Sequence, residues 1–537
     1  MAELSLGKSD VQAFASDHGA GNAVASALTT PRIIGGSEGA AAMHIGSVTD
    51  IASAKNWGAG SAKALANVAV VGVRSVDIAG DIVVAANAHD FSGAAASANA
   101  GLALKAGGPN FGSGAVTVTG DISVIAHATN DAAGKARSRA AFNVIDTAGI
   151  GSNIGVGLAN VLVEASADAQ GAGAASAAAV TDIRAQTAFG PASAAHLTIG
   201  SLTDKASAIS LGGGTADALA NVEIQATVAL KVDGPIDVEA LASDQGRGNA
   251  VASALLDIHG SQSFPMGSIQ LGALTDKAGA NVKGGAARSL ADVTIETPSL
   301  IGIAGPVDVA AGADNGGKGP AGGSIAASAN ADLTLSAGAT AGPQGLTAGD
   351  ITLIARGTNS GSGGVRAEGR VNAQAHSGLG LADVMIEAAA LNLGKKGANG
   401  AVADASLDAV GFGGALTLNS ANIQALADSQ GVGGAHAIAL GTLHEGGSAQ
   451  TEPRISVAGG IAVDAAAITG PRAKANASAL ASLAMFAGGS GGGVTLTVQG
   501  RSRWRRRPAT AAPAMPSPRR SAASAPRVPT LPSASAR

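Results

Sequence analysis

The chain has 537 residues, of which 46% are hydrophobic, 13% are charged and only 2% are aromatic, and its formal net charge is −4. Compact cores rely on large side chains to fill their volume, so this composition argues against most ordinary globular domains. Thin layers of small aliphatic residues are instead typical of a solenoid, in which each coil buries its inner face against its neighbours.

Disorder is the alternative, because the 79 glycines lose much conformational entropy when they are ordered. The hydrophobic content and the low charge favour a folded structure for residues 1–500. The chain has no cysteine, which excludes disulfide bonds and thiolate metal sites.

The first ten residues, Met1 to Asp10, do not resemble a signal peptide, since they lack a charged segment followed by an apolar run. No apolar stretch approaches the roughly 20 residues that a membrane helix requires. We therefore expect no transmembrane segment, and we expect any export signal to lie outside this chain.

A degenerate unit of about 38 residues repeats along the chain as far as Gly500. Clear copies are Val76-Asp-Ile-Ala-Gly-Asp-Ile-Val-Val-Ala-Ala and Val116-Thr-Val-Thr-Gly-Asp-Ile-Ser-Val-Ile-Ala. Twelve intervals between reference positions span 450 residues, a mean of 37.5, and single intervals run from 33 to 44. Unequal intervals predict turns of variable length between strands of fixed length. To within one or two positions, the reference residues are Val11, Val48, Ile82, Ile122, Val161, Leu202, Ile236, Leu274, Val307, Ile351, Val384, Ile423 and Ile461.

Two distant units share their turns as well as their apolar positions. Residues 11–28 are echoed by residues 238–255, and both segments end in Gly-x-Gly-Asn-Ala-Val-Ala-Ser-Ala-Leu or a close variant of it. This similarity indicates duplication.

Apolar residues recur with period two inside each unit, as in Ile122-Ser-Val-Ile-Ala-His-Ala, which predicts a β-strand. A second alternating stretch follows a glycine-rich turn, as in residues 216–224 after Gly212-Gly-Gly214. Each unit is thus interpreted as strand, turn, strand, turn. The run Ala174-Ala-Ser-Ala-Ala-Ala179 could form a helix, because alanine is the best helix former, but the surrounding period favours a strand.

The predicted fold class is therefore all-β, a parallel β-solenoid or β-helix of about twelve to thirteen degenerate repeats, with a disordered C-terminal tail. Coils about 4.8 Å apart would give a rod of roughly 60 Å at one coil per unit, or about 120 Å at two coils per unit.

The recurring Val-x-Val-x-Gly-Asp-Ile-x-Val-x-Ala phrase, with its glycine-rich turns and Asn/Asp corners, resembles the repeats of filamentous haemagglutinin-like exoproteins and autotransporter adhesins. The resemblance covers residues 9–500. It implies a right-handed parallel β-helix, export across an outer membrane and display as an elongated adhesive stalk. The family's N-terminal secretion domain and C-terminal translocator are not recognisable in this chain.

An Asp or Asn recurs seven or eight residues after the reference position. Stacked carboxylates could bind calcium, but an Asx turn that ends each strand is the favoured interpretation. These residues are Asp90, Asn130, Asp168, Asp244, Asp314, Asn359 and Asn392.

Several short motifs match enzyme signatures by composition alone. Gly35-Gly-Ser-Glu-Gly39 and Gly488-Gly-Ser-Gly-Gly492 fit Gly-x-Ser-x-Gly, but a nucleophile elbow also needs a following helix, a histidine and an acid. Residues 317–322 fit a dinucleotide pattern that Pro320 disrupts, and residues 312–318 lack the Ser or Thr of a phosphate loop. The nine histidines form no His-x-x-x-His pair, so turn or surface roles are favoured.

A polysaccharide lyase is the main enzymatic alternative, because many such enzymes are parallel β-helices with carboxylates and a basic residue on one face. Sugar sites usually add aromatic platforms, and Trp57 with eight Phe is a small supply. A cleft in which carboxylates converge with a basic residue would favour this alternative.

The last 37 residues, 501–537, contain nine Arg and seven Pro but no Lys and no acidic residue. Their formal charge is +9, which leaves −13 for residues 1–500. A basic arm and a disordered terminus are two interpretations. We favour a third, translation in a shifted frame, because the unit that begins at Val494 stops at Gly500 before its second half.

The sequence thus predicts two regions, a β-solenoid over residues 1–500 and an Arg/Pro/Ala/Ser-rich disordered tail over 501–537. The expected function is that of a fragment of a secreted or surface-displayed adhesin-like exoprotein, not an enzyme. The resemblance implies surface glycans or proteins of host or neighbouring cells as partners, with no nucleic acid, and an extracellular or cell-surface location. No catalytic, cofactor or metal residue is assigned.

Overall fold

The computed structural model describes residues 2–33, 41–107, 114–148, 154–187, 196–227, 229–260, 268–317, 325–338, 345–394, 400–447, 453–470, 475–489, 495–499 and 503–507. These residues form β-strands and no helix, which confirms the predicted all-β class. The described strands, in chain order, are β1 (Ala2–Asp17), β2 (Ala23–Thr29), β3 (Ala41–Asn56), β4 (Ala62–Val71), β5 (Ser75–Ile78), β6 (Ile82–Asp90), β7 (Ala96–Gly107), β8 (Gly114–Val118), β9 (Ile122–Asn130), β10 (Ala136–Ala148), β11 (Ile154–Ala169), β12 (Ala175–Thr187), β13 (His196–Ser210), β14 (Ala216–Ala226), β15 (Ala229–Val232), β16 (Ile236–Asp244), β17 (Ala250–Gly260), β18 (Ile269–Leu271), β19 (Leu274–Val282), β20 (Ala287–Thr297), β21 (Ile301–Ile303), β22 (Val307–Asn315), β23 (Ile325–Ala337), β24 (Gly345–Ala348), β25 (Ile351–Asn359), β26 (Gly364–Ala375), β27 (Gly378–Asn392), β28 (Ala401–Phe412), β29 (Ala415–Ser429), β30 (Ala435–Gly447), β31 (Arg454–Val457), β32 (Ile461–Thr469), β33 (Ala477–Gly489), β34 (Thr495–Val498) and β35 (Arg503–Arg507).

The strands stack into two parallel sheets, a first sheet of 22 strands and a second sheet of 13 strands. One coil contains a short first-sheet segment, a long first-sheet segment and one second-sheet strand, as in β5, β6 and β7. The two first-sheet segments are continuous in some coils, such as β3. We number the coils 1 to 13 by their second-sheet strands, from β2 to β33. This architecture is the parallel β-solenoid that the periodicity predicts.

One repeat unit forms one coil, and the register follows the predicted reference positions closely. Val48 pairs with Ile82, Ile82 with Ile122, and the series continues in register through Val384. Two reference residues, Val11 and Ile423, lie two positions late, because Ser9 and Ala421 occupy their register positions. A period of two does not distinguish successive inward residues, so an error of two is the expected kind.

Variation in unit length is concentrated at one corner of the coil. The turn from the long first-sheet strand to the second sheet has five residues in most coils, as between Asp90 and Ala96 or between Asp244 and Ala250. The return to the first sheet varies more, from two residues between Ala375 and Gly378 to eleven between Thr29 and Ala41. Fixed strands with variable turns are thus confirmed.

The core is graded in side-chain size across each coil. One inward first-sheet column, which we define as the residues at one register position in successive coils, is alanine in all thirteen coils; it contains Ala13, Ala52, Ala86, Ala126, Ala165, Ala206, Ala240, Ala278, Ala311, Ala355, Ala388, Ala425 and Ala465. Larger residues such as Ile82, Leu102 and Leu104 fill the part of the core that lies farther from the turn. Close packing with so few aromatic residues is possible because this graded core is thin.

One coil shows that the volumes of facing core positions compensate each other. Gly357 takes an alanine position of the first sheet, while Val365 takes an alanine position of the second sheet. A Cβ atom on Gly357 would lie 2.7 Å from Cγ1 of Val365 and 3.0 Å from the Arg366 carbonyl oxygen. The glycine therefore makes room for the larger valine.

The Gly-Asp phrase marks the corner between the short and long first-sheet segments. A Cβ atom on Gly80 would overlap the carbonyl group of Gly46 in the preceding coil, so close stacking requires glycine here. The following polar residues form a ladder in which Asp81 accepts from the Asp121 amide at 3.0 Å and Asp121 accepts from Asn160 Nδ2 at 3.0 Å. These bonds join successive coils.

The duplicated phrase occupies equivalent places in coils 1 and 7. Asn22 accepts a hydrogen bond from the Ser61 amide at 2.8 Å, and Asn249 accepts one from the Ala286 amide at 2.9 Å. Each asparagine thus joins its turn to the next coil.

Two local predictions have definite outcomes. The alanine run 174–179 lies in and just before β12, so the strand interpretation is confirmed and the helix is wrong. At the other end, β35 pairs with β32, which extends the first sheet past the predicted boundary at residue 500. Residues 508–537 of the predicted tail lie outside the described residues.

Candidate functional site

The recurrent Asp and Asn residues end the long first-sheet strands on the inner side of the coil. Asp90, Asn130, Asp244, Asn359 and Asn392 share one buried column, and each is at most 1% exposed. The turn then carries the chain from the first sheet to the second.

Their side-chain oxygens accept hydrogen bonds from backbone amides two residues ahead. The Ser92 amide donates to Asp90 at 2.9 Å, the Gly246 amide to Asp244 at 2.8 Å and the Gly361 amide to Asn359 at 2.9 Å. This is the geometry of the predicted Asx turn. The described residues contain no group of three or more His, Cys, Asp or Glu placed to hold a metal ion.

Two of the seven predicted column members are displaced by one residue. Asp168 and Asp314 point outward, and Ala169 and Asn315 occupy the column in their coils. Asn56, Ser210 and Ser429 also belong to the column although the sequence search missed them. Serine serves there because its hydroxyl reaches a carbonyl group, as Ser210 Oγ does with Gly173 at 3.1 Å.

The enzyme-like glycine motifs are only partly described. Residues 35–39, Ser490 and residues 318–322 lie outside the described residues, so both Gly-x-Ser-x-Gly matches and the dinucleotide match stay untested. Three histidines of the described chain contact surface carboxylates, as predicted for surface roles: His44 contacts Asp77 at 3.2 Å, His89 contacts Asp131 at 2.9 Å, and His259 contacts Asp257 at 2.6 Å.

Trp57 lies at the turn between the two sheets and belongs to an aromatic stack. Its ring lies 3.7 Å from Phe91 at an interplanar angle of 7°, and His18 stacks 5.8 Å away. His89 covers Phe91 at 3.8 Å. Trp57 thus contacts rings of the preceding and the following coil, so this ladder joins coils 1 to 3, and Trp57 itself is 50% exposed.

The outer face of the second sheet carries a line of carboxylates, which is the strongest candidate for a functional site among the described residues. Seven successive coils, 5 to 11, each contribute one acid to it. Within it, Asp182 neighbours Glu223, Glu223 neighbours Asp257, Asp292 neighbours Asp332, and Glu368 neighbours Asp404 in register. Between these groups the line shifts twice by two residues toward the start of the strand, because Asp257 pairs with Thr294 and Asp332 pairs with Arg370. We call this set the acidic stripe: Asp182, Glu223, Asp257, Asp292, Asp332, Glu368 and Asp404.

Arginines neutralise the two ends of the acidic stripe. Arg184 bonds Asp182 at 2.8 Å and Glu223 at 3.3 Å. Glu368 is nearly buried between Arg366, at 2.8 Å, and Arg370, which also forms an ion pair with it. Each ion pair restricts the guanidinium group to a structural role.

The middle of the stripe is less well neutralised. Burial and the nearby Asp257 raise the pKa of Asp292. Burial and the nearby Asp292 raise the pKa of Asp332, while Arg370 lowers it. Asp257 contacts His259, whose other ring nitrogen lies 3.8 Å from Glu296. Carboxylates on neighbouring strands thus repel one another here.

A lyase site would need carboxylates and a basic residue that converge in a cleft, and the acidic stripe meets only part of this condition. Carboxylates and arginines do converge, but the guanidinium groups of Arg366 and Arg370 are both engaged in ion pairs with Glu368. Three open grooves of about 370, 430 and 200 Å³ are lined by other residues, among them Gln270, Ser176 and Thr198. The period-two pattern already predicts that these acids point outward from their strands. Their positions relative to one another in successive coils follow only from the strand register in the folded structure.

Comparison with known proteins adds no relative. No family model, curated protein or solved structure matches this chain. The described residues also contain no helix long and apolar enough to cross a membrane. The function proposed below therefore rests on the residues of this chain and their geometry.

Proposed function

We propose that this chain is a rod-like segment of a secreted or surface-displayed exoprotein, similar to filamentous haemagglutinin-like adhesins, with a structural and adhesive role. The observation that carries the proposal is the uninterrupted register of the coils. The same alanine column continues from Ala13 to Ala465, so the long strands of the first sheet stack in one register from the first coil to the last.

A repeated structure of this kind supports a function in which binding is spread over many coils. Thirteen coils about 4.8 Å apart separate the first strand from the last by about 58 Å, and two outer faces run along that length. A binding surface spread over many coils suits adhesion to large partners, such as the glycans or proteins of host or neighbouring cells.

The proposal is tested with microspheres that carry the chain in two orientations. Because the chain has no cysteine, Lys8→Cys couples it by its first coil and Asp217→Cys couples it by the middle of the second sheet. We expect end-coupled spheres to attach to cultured epithelial or bacterial cells more often than albumin-coated spheres, and more often than side-coupled spheres. Attachment no better than albumin in both orientations would refute an adhesive role.

A carbohydrate-active enzyme is a second candidate, favoured only by the convergence of Arg366, Glu368 and Arg370 with the acidic stripe. Acidic polysaccharides incubated with the chain would then yield unsaturated or reducing ends, and Arg370→Ala would abolish the product. Equal, background yields from the unaltered and Arg370→Ala chains would exclude this candidate.

A further inference from the structure

A row of exposed cations crosses the same second-sheet face at coil 4. Alternation along Lys135-Ala-Arg-Ser-Arg139 directs all three basic side chains outward, and all three are exposed. None of them forms an ion pair with a described residue, whereas Arg184, Arg366 and Arg370 all do. We call Lys135, Arg137 and Arg139 the basic row. Lys63, two coils earlier, lies in the column of Arg137.

The complement of the basic row lies on the same face of the same chain. In coils 7, 8 and 9 the acidic stripe contains Asp257, Asp292 and Asp332, which we call the acidic patch. Arg370, which is shared with Glu368, is the guanidinium that borders the patch. The crowded carboxylates would gain from further cations. The basic row forms no ion pair with a described residue, and its nearest anion on this face is Asp217, which lies two coils later and lines the same groove as Lys135 and Arg137.

We propose that the outer face of the second sheet is a self-association surface, on which two copies of this chain cross so that the basic row of each faces the acidic patch of the other. Like the patch, the row contains three charges. Both sets lie on one face, so a single twofold axis brings both pairs together and makes the contact isologous.

The directions of the two sets fix the crossing angle. The basic row runs along a strand, where residues two apart are about 6.6 Å apart. The patch runs mainly across the strands, since Asp292 and Asp332 are register neighbours about 4.8 Å apart, while Asp257, one coil earlier, lies two residues further along its strand. The row lies along the partner's patch only if the strands of one copy run along the axis of the other. The two solenoids therefore cross near a right angle.

The contact is large enough for a stable dimer. An 11-residue strand such as β20 is about 36 Å long, so two faces crossed at a right angle overlap by on the order of 1,000 Å² per copy. Specific interfaces bury about 800 Å² per partner. Outward leucines lie beside both charged sets, including Leu65, which is 40% exposed, and the half-buried Leu255 and Leu290. They supply the apolar part that interface centres require.

Two charge-reversal variants test this pairing. One is Arg137→Glu with Arg139→Glu, and the other is Asp292→Lys with Asp332→Lys. All four side chains point outward, so the fold is retained, which circular dichroism checks. Sedimentation velocity of the full chain at low salt should show a dimer that dissociates at high salt. Each variant alone should dimerise at least about tenfold more weakly, because like charges then face each other.

Mixing the two variants is the decisive measurement. The glutamates of one variant then face the lysines of the other, and the unaltered sets face each other as before. The mixture should therefore recover the dimer that each variant alone forms only weakly. The proposal is overturned by an unaltered chain that stays monomeric at every concentration and salt, or by a mixture that remains dissociated. It is also overturned if dimers form only when calcium or a soluble polyanion is added. This proposal does not depend on the adhesive function.

Discussion

Besides Asp90 and Asp244, five carboxyl groups of the described residues lie inside the coil stack, at columns that mostly contain small or aliphatic residues. Three of them, Asp50, Asp204 and Asp276, take one first-sheet column that holds Val, Ile or Leu in the other coils. Thr181 donates to Asp204 at 2.8 Å, and Thr29 occupies the corresponding second-sheet position one coil before Asp50. Asp276 lacks such a hydroxyl, since Leu256 is the equivalent residue. The other two buried carboxyl groups are Asp146 and Glu445.

Asp146 and Glu445 share one column at the variable corner, and each lies beside glycine. The Gly413 and Gly414 amides donate to Glu445 at 3.1 and 2.8 Å, and a Cβ atom on Gly411 would overlap its carboxylate. The buried carboxyl group of Asp146 likewise lies against Gly114. Glycine is thus needed where an acid replaces the usual small residue.

Burial of Asp146 gives the stability a definite dependence on pH. Burial raises its pKa from 3.8 to about 7, with a hydrogen bond from the Gly155 backbone opposing the shift. Between these two values the native state binds a proton that the unfolded state has lost, so the stability falls as the pH rises. Above about pH 7 this cost is complete and constant.

The variant Asp146→Asn should remove that cost. At pH 8 we expect a free energy of unfolding higher by up to about 4 kcal/mol, the equivalent of a shift of about three units. At pH 4 the gain should be small, because the native and unfolded states are then similarly protonated. Thermal melts at both pH values measure the difference, and Asp217→Asn, at an exposed position on the second sheet, is the matched control. An equal gain at both pH values would contradict burial as the cause.

At the scale of elements, strand periodicity determined most of the structure. Eleven of the thirteen reference residues share one register column, because period two and recurring Gly-Asp corners mark the same point in each unit. Asp314 was misplaced because its neighbour Asn315 can end the strand equally well. Asp168 was misplaced because the column position holds Ala169, which has no side-chain oxygen, so the sequence pointed to the acid beside it. The split of the first-sheet segment at Gly80 and the alignment of the acidic stripe were not predicted, since both depend on the stacking of coils and not on one strand alone.

The sizes of core side chains on facing strands of the two sheets depend on each other. Coil 10 allows this dependence to be measured. Gly357→Ala should lower the free energy of unfolding by about 1–3 kcal/mol, because its Cβ atom would crowd Val365. In combination with Val365→Ala the loss should be much smaller, since the pair then matches the alanines of most other coils. A double-mutant cycle of denaturation midpoints gives the coupling. Additive effects of the two changes would show that these strands do not contact as described.

At the scale of the whole molecule, charge is distributed unevenly over a uniform core. The basic row in coil 4 and the acidic stripe in coils 5 to 11 lie on one face, while the inner columns hardly change from coil to coil. Stacking of the coils requires inner side chains of matching size, whereas outward side chains can differ from coil to coil without changing the fold. Differences between coils on that face are therefore where specificity in partners is expected.

The central claim is that one repeat of about 38 residues forms one coil, so that residues one unit apart are direct neighbours. Ser166 and Ser207 pair in register on the outer side of the first sheet, which places their Cα atoms about 4.8 Å apart. This separation is within the range of a disulfide bond. Ser53 lies in the same column three coils before Ser166, about 14 Å away.

Because the chain has no cysteine, disulfide formation gives a direct measurement of this spacing. Mass spectrometry and thiol counting should show that Ser166→Cys with Ser207→Cys closes an intramolecular disulfide under mild oxidation, while Ser53→Cys with Ser166→Cys keeps two free thiols. Two free thiols in the first variant would contradict one coil per repeat and with it the architecture described for this chain.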